Sequence, residues 1–188
     1  MSDAFYSMSR ELGRRVVRHP GPPTARRVWV QIAATADEFE AKLPAGAVLF
    51  SALMEAVTAR GCDHGSLVAL EGDLSVAKCQ VGYPDPKGEI AAVYRPPVEF
   101  DGGATILAGN GTIGHRADGG PIIHCHAVLI DRLGHAFAGH LPTDLCVIGA
   151  NGAKVRILVP ADAGFKVRPD AETRVSLLAP SDEEGAAR

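Results

Sequence analysis

Short runs in which apolar and polar residues alternate recur along most of the chain, and they predict β-strands. The first is "RVWVQIA" (27–33), and the others span 66–72, 75–83, 89–95, 104–114, 121–130, 135–141 and 146–158. The segment 47–61 differs, because its apolar residues recur at helical spacing and Gly61 can end a helix. Those apolar residues are Leu49, Leu53, Met54 and Val57. The polar segment 35–46 is expected to be a loop or a short helix. The pattern predicts an α/β protein of the α+β type, with a mainly antiparallel sheet flanked by one or two helices.

The length and charge of the chain predict one domain with a tail at each end. Its 188 residues suffice for one hydrophobic core. The first 30 residues contain six arginines against two acidic residues, whereas the whole chain has a net charge of -3. We therefore predict a basic, flexible arm over 1–26, a single domain over 27–178 and an acidic, disordered tail over 179–188.

The cysteines and the hydropathy pattern bear on the compartment. The chain has four cysteines without a Cys-x-x-Cys pair, and no signal-like segment or apolar run near the ~20 residues of a membrane helix. The cysteines are Cys62, Cys79, Cys125 and Cys146. We expect reduced thiols in a cytoplasmic protein that has no membrane contact.

Three histidines lie on two neighbouring predicted strands. His124 and His126 are two residues apart, so they project from the same face of a strand, about 6.6 Å apart. The residues "DRLG" that follow, beginning at Asp131, suit a type I turn that ends in a left-handed glycine. A three-residue loop then pairs Asp131 with His135. Counting outward from that pair, His126 lies directly opposite His140.

This register predicts a metal site. Opposed Cβ atoms lie about 5 Å apart and diagonal ones about 7–8 Å, so one divalent ion could bridge all three imidazoles. Unrelated surface histidines are the alternative, but three on one face of a hairpin favour a ligand set. Imidazole ligands suit Zn²⁺ better than Cu, Ni or Fe on availability. Three protein ligands leave a fourth position open, as in catalytic zinc sites, where the pKa of bound water falls to about 7.

With these motifs the sequence resembles the plants-and-prokaryotes-conserved (PPC) domain family in its stand-alone bacterial and archaeal form. The resemblance covers roughly 27–178 and rests mainly on "HCH" (124–126) and "AGHL" (138–141). Further similar stretches are "LPAGAVLFSAL", "LEGDLS", "AGNGTI" and "RPDAETRVSLL". The family often has two glycines before the third histidine, where this chain has Ala138 first. The resemblance implies an antiparallel sheet flanked by helices, a homotrimer, and zinc on His124, His126 and His140.

Three functions remain open. The first is a metal-dependent hydrolase or lyase of an unknown small molecule, with Glu71, Asp73 or His115 as a proton-transfer group. Each of these three has a simpler explanation as a turn or loop residue. The second is a non-catalytic regulatory or DNA-associated module, and the third is a structural trimer that the metal makes rigid.

DNA binding by the domain itself is not expected. Many PPC relatives are named for DNA binding because plant members add AT-hook segments, and this chain has no Arg-Gly-Arg-Pro sequence. The acidic domain body opposes phosphate contact, so any DNA binding should be weak and come from the arginine-rich arm. In a trimer, we expect strand residues such as Val147, Ile148, Val155 and Ile157 to be buried between subunits.

Overall fold

The computed structural model describes residues 19–24 and 32–181, which form a sheet-rich fold. In chain order the elements are β1 (Ala36–Leu43), α1 (Leu49–Thr58), β2 (Gly65–Cys79), β3 (Gly82–Pro84), β4 (Ala92–Tyr94), β5 (Val98–Phe100), β6 (Ala104–His115), β7 (Pro121–Asp131), β8 (Ala136–His140), a 3₁₀ turn (Thr143–Leu145), β9 (Val147–Pro160), β10 (Phe165–Asp170) and β11 (Val175–Pro180). The described residues therefore contain one α-helix and many strands, as the sequence pattern predicts.

The main sheet places the predicted histidine hairpin at one end. Its antiparallel order is β1–β9–β2–β6–β7–β8. Beyond β8, Gln80 and His140 exchange two backbone hydrogen bonds of 2.8 and 2.9 Å, so the chain just after β2 closes against the last strand. The β10–β11 hairpin joins the end of β6 through one parallel bridge, and β3 pairs with β4. The third histidine is thus held on both sides.

The helix covers the inner face of the sheet. Its buried side chains recur at the predicted spacing and include Leu49, Leu53 and Val57. They pack with apolar residues from the inner faces of the strands in one core. Gly61 follows the helix with φ of 72°, as expected of a residue that ends it. The opposite, outer face of the sheet presents exposed side chains, both polar and apolar.

The prediction of a loop or short helix over 35–46 is wrong, because Ala36–Leu43 forms strand β1. Phe39 and Leu43 are buried, while Glu38 and Glu40 between and before them are exposed. The glutamates form ion pairs across to β9, at 3.3 Å to Arg156 and 3.1 Å to Lys154. The acidic residues therefore mark the solvent side of an amphipathic strand.

Two other strand predictions need correction. The predicted strand 66–72 and most of the predicted strand 75–83 form one strand, β2, which continues through register shifts around Gly72 and ends at Cys79, while residues 82–83 belong to β3. Of the predicted first strand 27–33, residues 27–31 lie outside the described residues and 32–33 belong to no strand. The sequence pattern does not predict the strands β5, β10 and β11.

The two predicted tails are described only in part. Of the arm, residues 19–24 are described, and they pack on the turn between β10 and β11. His19 Nδ1 lies 2.7 Å from a carboxylate oxygen of Glu172, and the backbone N–H of Thr24 donates to the other oxygen at 2.9 Å. At the other end of the chain, β11 ends at Pro180, and residues 182–188 lie outside the described residues. No helix in the described ranges is long and apolar enough to cross a membrane.

Four residues of β9 were expected to be buried between subunits, and for three of them this expectation is wrong. Ile148, Val155 and Ile157 are at most 1% exposed within a single chain and belong to its core. All three belong to the same core cluster as the buried residues of the helix; Val155 and Ile157 alternate regularly along β9, and register shifts near Leu74 separate them from Ile148. Three exposed apolar side chains lie instead together on the outer face, namely Val68, Leu107 and Val128.

Candidate metal centre

The three predicted histidines meet on the outer face of the sheet. His126 pairs directly with His140 in the β7–β8 register, as predicted, and Gly134 in the turn has φ of 85°. Asp131 fixes this turn, because its carboxylate accepts hydrogen bonds from the backbone N–H groups of Leu133 and His135, both 2.9 Å long. The register that aligns the histidines is therefore set by a short local turn.

The imidazoles are close enough to share one ion. One nitrogen from each of the three rings lies within 4.8 Å of the others. The Nε2 atoms of His124 and His126 are 3.0 Å apart, and the ring centroids of His124 and His140 are 4.9 Å apart in a stacked arrangement. Ligand atoms around tetrahedral zinc are separated by similar distances, since each lies about 2.0–2.1 Å from the metal.

The surroundings keep two of these imidazoles neutral. Burial, with a further contribution from His124 and His126, lowers the pKa of His140 to about 4. Burial also lowers the pKa of His124, and the neighbouring His126 lowers it further. Neutral imidazole is the form that binds a metal, so little proton release opposes binding at neutral pH.

One buried atom lacks a partner at this site. Nδ1 of His140 is buried and makes no hydrogen bond of normal geometry to the described residues, although the backbone carbonyl of Cys125 is close enough to raise the pKa of this imidazole. An unsatisfied buried polar group costs about 1–3 kcal/mol, so such atoms are rare unless something else binds there. An unpaired, neutral nitrogen beside two other imidazoles fits a three-histidine metal site.

Of the three predicted proton-transfer residues, only Glu71 lines a surface cavity together with one of the three histidines. It is exposed on the outer face of β2 and lines a surface cavity of about 390 Å³ together with His126. Asn110, which pairs with His126 across β6 and β7, lines the same cavity. Val68 and Leu107 form the apolar side of this cavity. A carboxylate, an amide and an imidazole thus share one depression.

Asp73 and His115 lie elsewhere. Asp73 is buried, and its carboxylate lies 3.6 Å from the guanidinium of Arg132. His115 lies at the end of β6, with Nε2 3.3 Å from one oxygen of Asp63. The other oxygen of Asp63 lies 2.9 Å from Nδ1 of His64, and this hydrogen bond lowers the pKa of the Asp63 carboxyl. Asp73 and His115 therefore have structural partners of their own.

Sequence reasoning missed two residues beside the histidines. The ring of Tyr94 lies 5.1 Å from the ring of His140, between centroids. The charge of Asp144 also reaches His140, where it favours the protonated form and opposes the lowering of the pKa. Asp144 follows His140 by only four residues, so the sequence places a charged neighbour close to the third histidine. Tyr94 gave no signal, because its contact depends on how the β3–β4 hairpin docks.

The cysteines near this hairpin are not ligands. Cys79, Cys125 and Cys146 are buried free thiols on the core side of the sheet. Burial raises the pKa of Cys79 and Cys146 to about 11 and that of Cys125 to about 12. A thiol binds metal as the thiolate, so these three side chains act as apolar packing residues.

Known proteins share this fold. The model of the Plants and Prokaryotes Conserved (PCC) domain matches residues 31–152. The metal-containing protein from Archaeoglobus fulgidus has a TM-score of 0.62 and 19% identity, over 81% of this chain and 98% of that chain. A plant- and prokaryote-conserved (PPC) protein from Pyrococcus horikoshii has a TM-score of 0.58 and 17% identity, over 78% and 96%. A proposed DNA-binding protein from Ralstonia eutropha has a TM-score of 0.57 and 18% identity, over 74% and 89%. No curated protein matches the chain by sequence.

Proposed function

Because the chain belongs to the Plants and Prokaryotes Conserved (PCC) domain family, we propose that it binds one divalent metal ion per chain, with zinc preferred. The ligands would be His124, His126 and His140. The observation that carries this proposal is the convergence of three imidazole nitrogens within 4.8 Å, one of the rings having a buried Nδ1 without a partner. The metal content of the similar protein from Archaeoglobus fulgidus supports it.

We further propose that the site acts on a small molecule, as a hydrolase or a lyase. When bound, zinc supplies Lewis acidity at its open position. Glu71 would take up or deliver a proton from its place in the cavity beside His126, and Asn110 would orient the substrate by hydrogen bonds.

Metal content and turnover can be measured on the same preparation. Protein purified without a histidine tag should contain about one equivalent of metal, and a folded protein that retains less than ~0.2 equivalents after zinc reconstitution would contradict the metal site. In a screen of esters, lactones and amides, we expect Glu71→Gln to lower any zinc-dependent turnover by about 100-fold. Glu40→Gln, on the same face but outside the cavity, is the matched control. Equal rates for both variants would exclude Glu71 as the proton-transfer group.

A regulatory, DNA-associated role is the second candidate, favoured by the similar protein from Ralstonia eutropha. We expect weak, sequence-independent binding that depends on the six arginines of the N-terminal segment, namely Arg10, Arg14, Arg15, Arg18, Arg26 and Arg27. Changing all six to glutamine should abolish binding in fluorescence anisotropy, and log K of the native chain should fall steeply with log salt. Sequence-specific binding that survives these substitutions at physiological salt would contradict this prediction.

We also propose that the chain assembles as a homotrimer. The exposed apolar side chains Val68, Leu107 and Val128 lie together on the outer face beside the histidines and would be covered by a neighbouring subunit. Light scattering at micromolar concentration should give the mass of three chains, and Leu107→Asp should lower it. Leu133→Asp, at the exposed tip of the β7–β8 turn, should leave the mass unchanged. A monomeric native chain would refute the assembly.

A further inference from the structure

We infer that Tyr94 is a positioning residue for His140, holding its imidazole in the orientation that metal binding needs. The inference rests on the proposed metal site. Tyr94 is 50% exposed and lies at the end of β4, in a separate two-stranded sheet. Its ring is tilted by 35° to that of His140, with centroids 5.1 Å apart. Ring pairs at this separation attract each other and restrict each other's rotation.

His140 needs such a contact more than most ligands do. A metal-binding histidine is usually oriented by a hydrogen bond from its second ring nitrogen to a carboxylate, a carbonyl or water. Among the described residues, no side chain holds the His140 ring by a hydrogen bond, and the backbone carbonyl of Cys125 is the one backbone group close enough to raise its pKa. Packing therefore contributes to the orientation of the ring. His124 and His126 pack on it, but both are themselves proposed ligands. Among the described residues, Tyr94 is the only other aromatic residue that packs on His140.

Gln80 couples the tyrosine to the histidine. Its backbone exchanges two hydrogen bonds with His140, which fixes the third ligand strand. Its side-chain Nε2 donates to the backbone carbonyl of Arg95, next to Tyr94, at 3.2 Å. The β3–β4 hairpin is thus attached to the same residue that holds His140. These hydrogen bonds fix the position of Tyr94 relative to His140.

Zinc affinity in four variants of the full chain tests this role. Tyr94→Ala should weaken zinc binding about tenfold in competition with a chromophoric chelator, the lower end of the range for groups that support metal ligands. Tyr94→Phe keeps the ring and should bind within about twofold of the native chain. Tyr94→Leu should resemble Tyr94→Ala and serves if the alanine variant does not fold. The control is Tyr83→Ala, because Tyr83 is in the same hairpin but its ring packs on Arg95 instead.

A second readout reports the ligand geometry directly. In the cobalt-substituted protein, Tyr94→Ala should change the visible absorption bands, and Tyr94→Phe should restore them. Equal zinc affinity for the native chain and Tyr94→Ala would overturn the inference and leave the metal site intact. The inference would also be overturned if Tyr83→Ala or Tyr94→Phe lost as much zinc affinity as Tyr94→Ala. If the native chain bound no metal, the proposed function itself would fail.

Discussion

Replacing His126 or His140 by alanine should lower zinc affinity by at least about 100-fold, which exceeds the usual effect of removing a group that only supports a ligand. Each variant would leave two imidazoles, and two ligands cannot hold zinc as three do. The two side chains face each other across β7 and β8, so each loss removes a direct ligand without removing the partner strand. Chelator competition measures the affinity.

The matched control is His135→Ala. His135 lies in the same hairpin, but its ring is 60% exposed and pairs with Asp131 at the far end, 3.0 Å away. Zinc at 100 times its dissociation constant should stabilise the native chain and His135→Ala by about 2.7 kcal/mol, and a His126→Ala, His140→Ala double variant hardly at all. Undiminished zinc binding by the double variant would show that the metal binds elsewhere.

The histidine register could be predicted because it depends on neighbouring residues only. The turn from Asp131 to Gly134 sets the pairing, and strand alternation then places the three rings on one face. The same alternation misleads in β2, where Glu71 and Asp73, two residues apart, should share a face. Glu71 is exposed and Asp73 is buried, because the strand shifts register on both sides of Gly72. A bulge of this kind leaves no periodic signal in the sequence.

Contacts between distant segments account for the rest of the site. Gln80 and His140 are 60 residues apart, and their backbone bridge forms only when the chain after β2 reaches the edge of β8. The packing of the Tyr94 ring on His140 depends on the same long-range contact. The charged residues of β1 likewise become interpretable only once Arg156 and Lys154 of β9 are seen opposite them. Hydropathy patterns report which side of a strand is buried, but not which strand lies next to it.

The same bridge explains why a glycine precedes the third histidine. Gly139 faces the chain after β2 so closely that a Cβ atom there would lie 2.5 Å from the carbonyl oxygen of Gln80 and 2.8 Å from Sγ of Cys79. Neither the bridged backbone nor a buried thiol can withdraw easily. The preceding residue, Ala138, is exposed on the outer face, so a methyl group is tolerated there.

We therefore expect Gly139→Ala to destabilise the metal-free protein by roughly 2–4 kcal/mol, through overpacking and loss of the two Gln80–His140 hydrogen bonds. Because those bonds hold the third ligand strand, zinc affinity should fall as well. Urea unfolding and chelator competition measure the two effects. Ala138→Ser, one residue earlier, should change stability by less than about 0.5 kcal/mol, as exposed substitutions usually do. If Gly139→Ala were as stable as Ala138→Ser and bound zinc as tightly, the close packing of β8 against Gln80 would not be what holds His140 in the site.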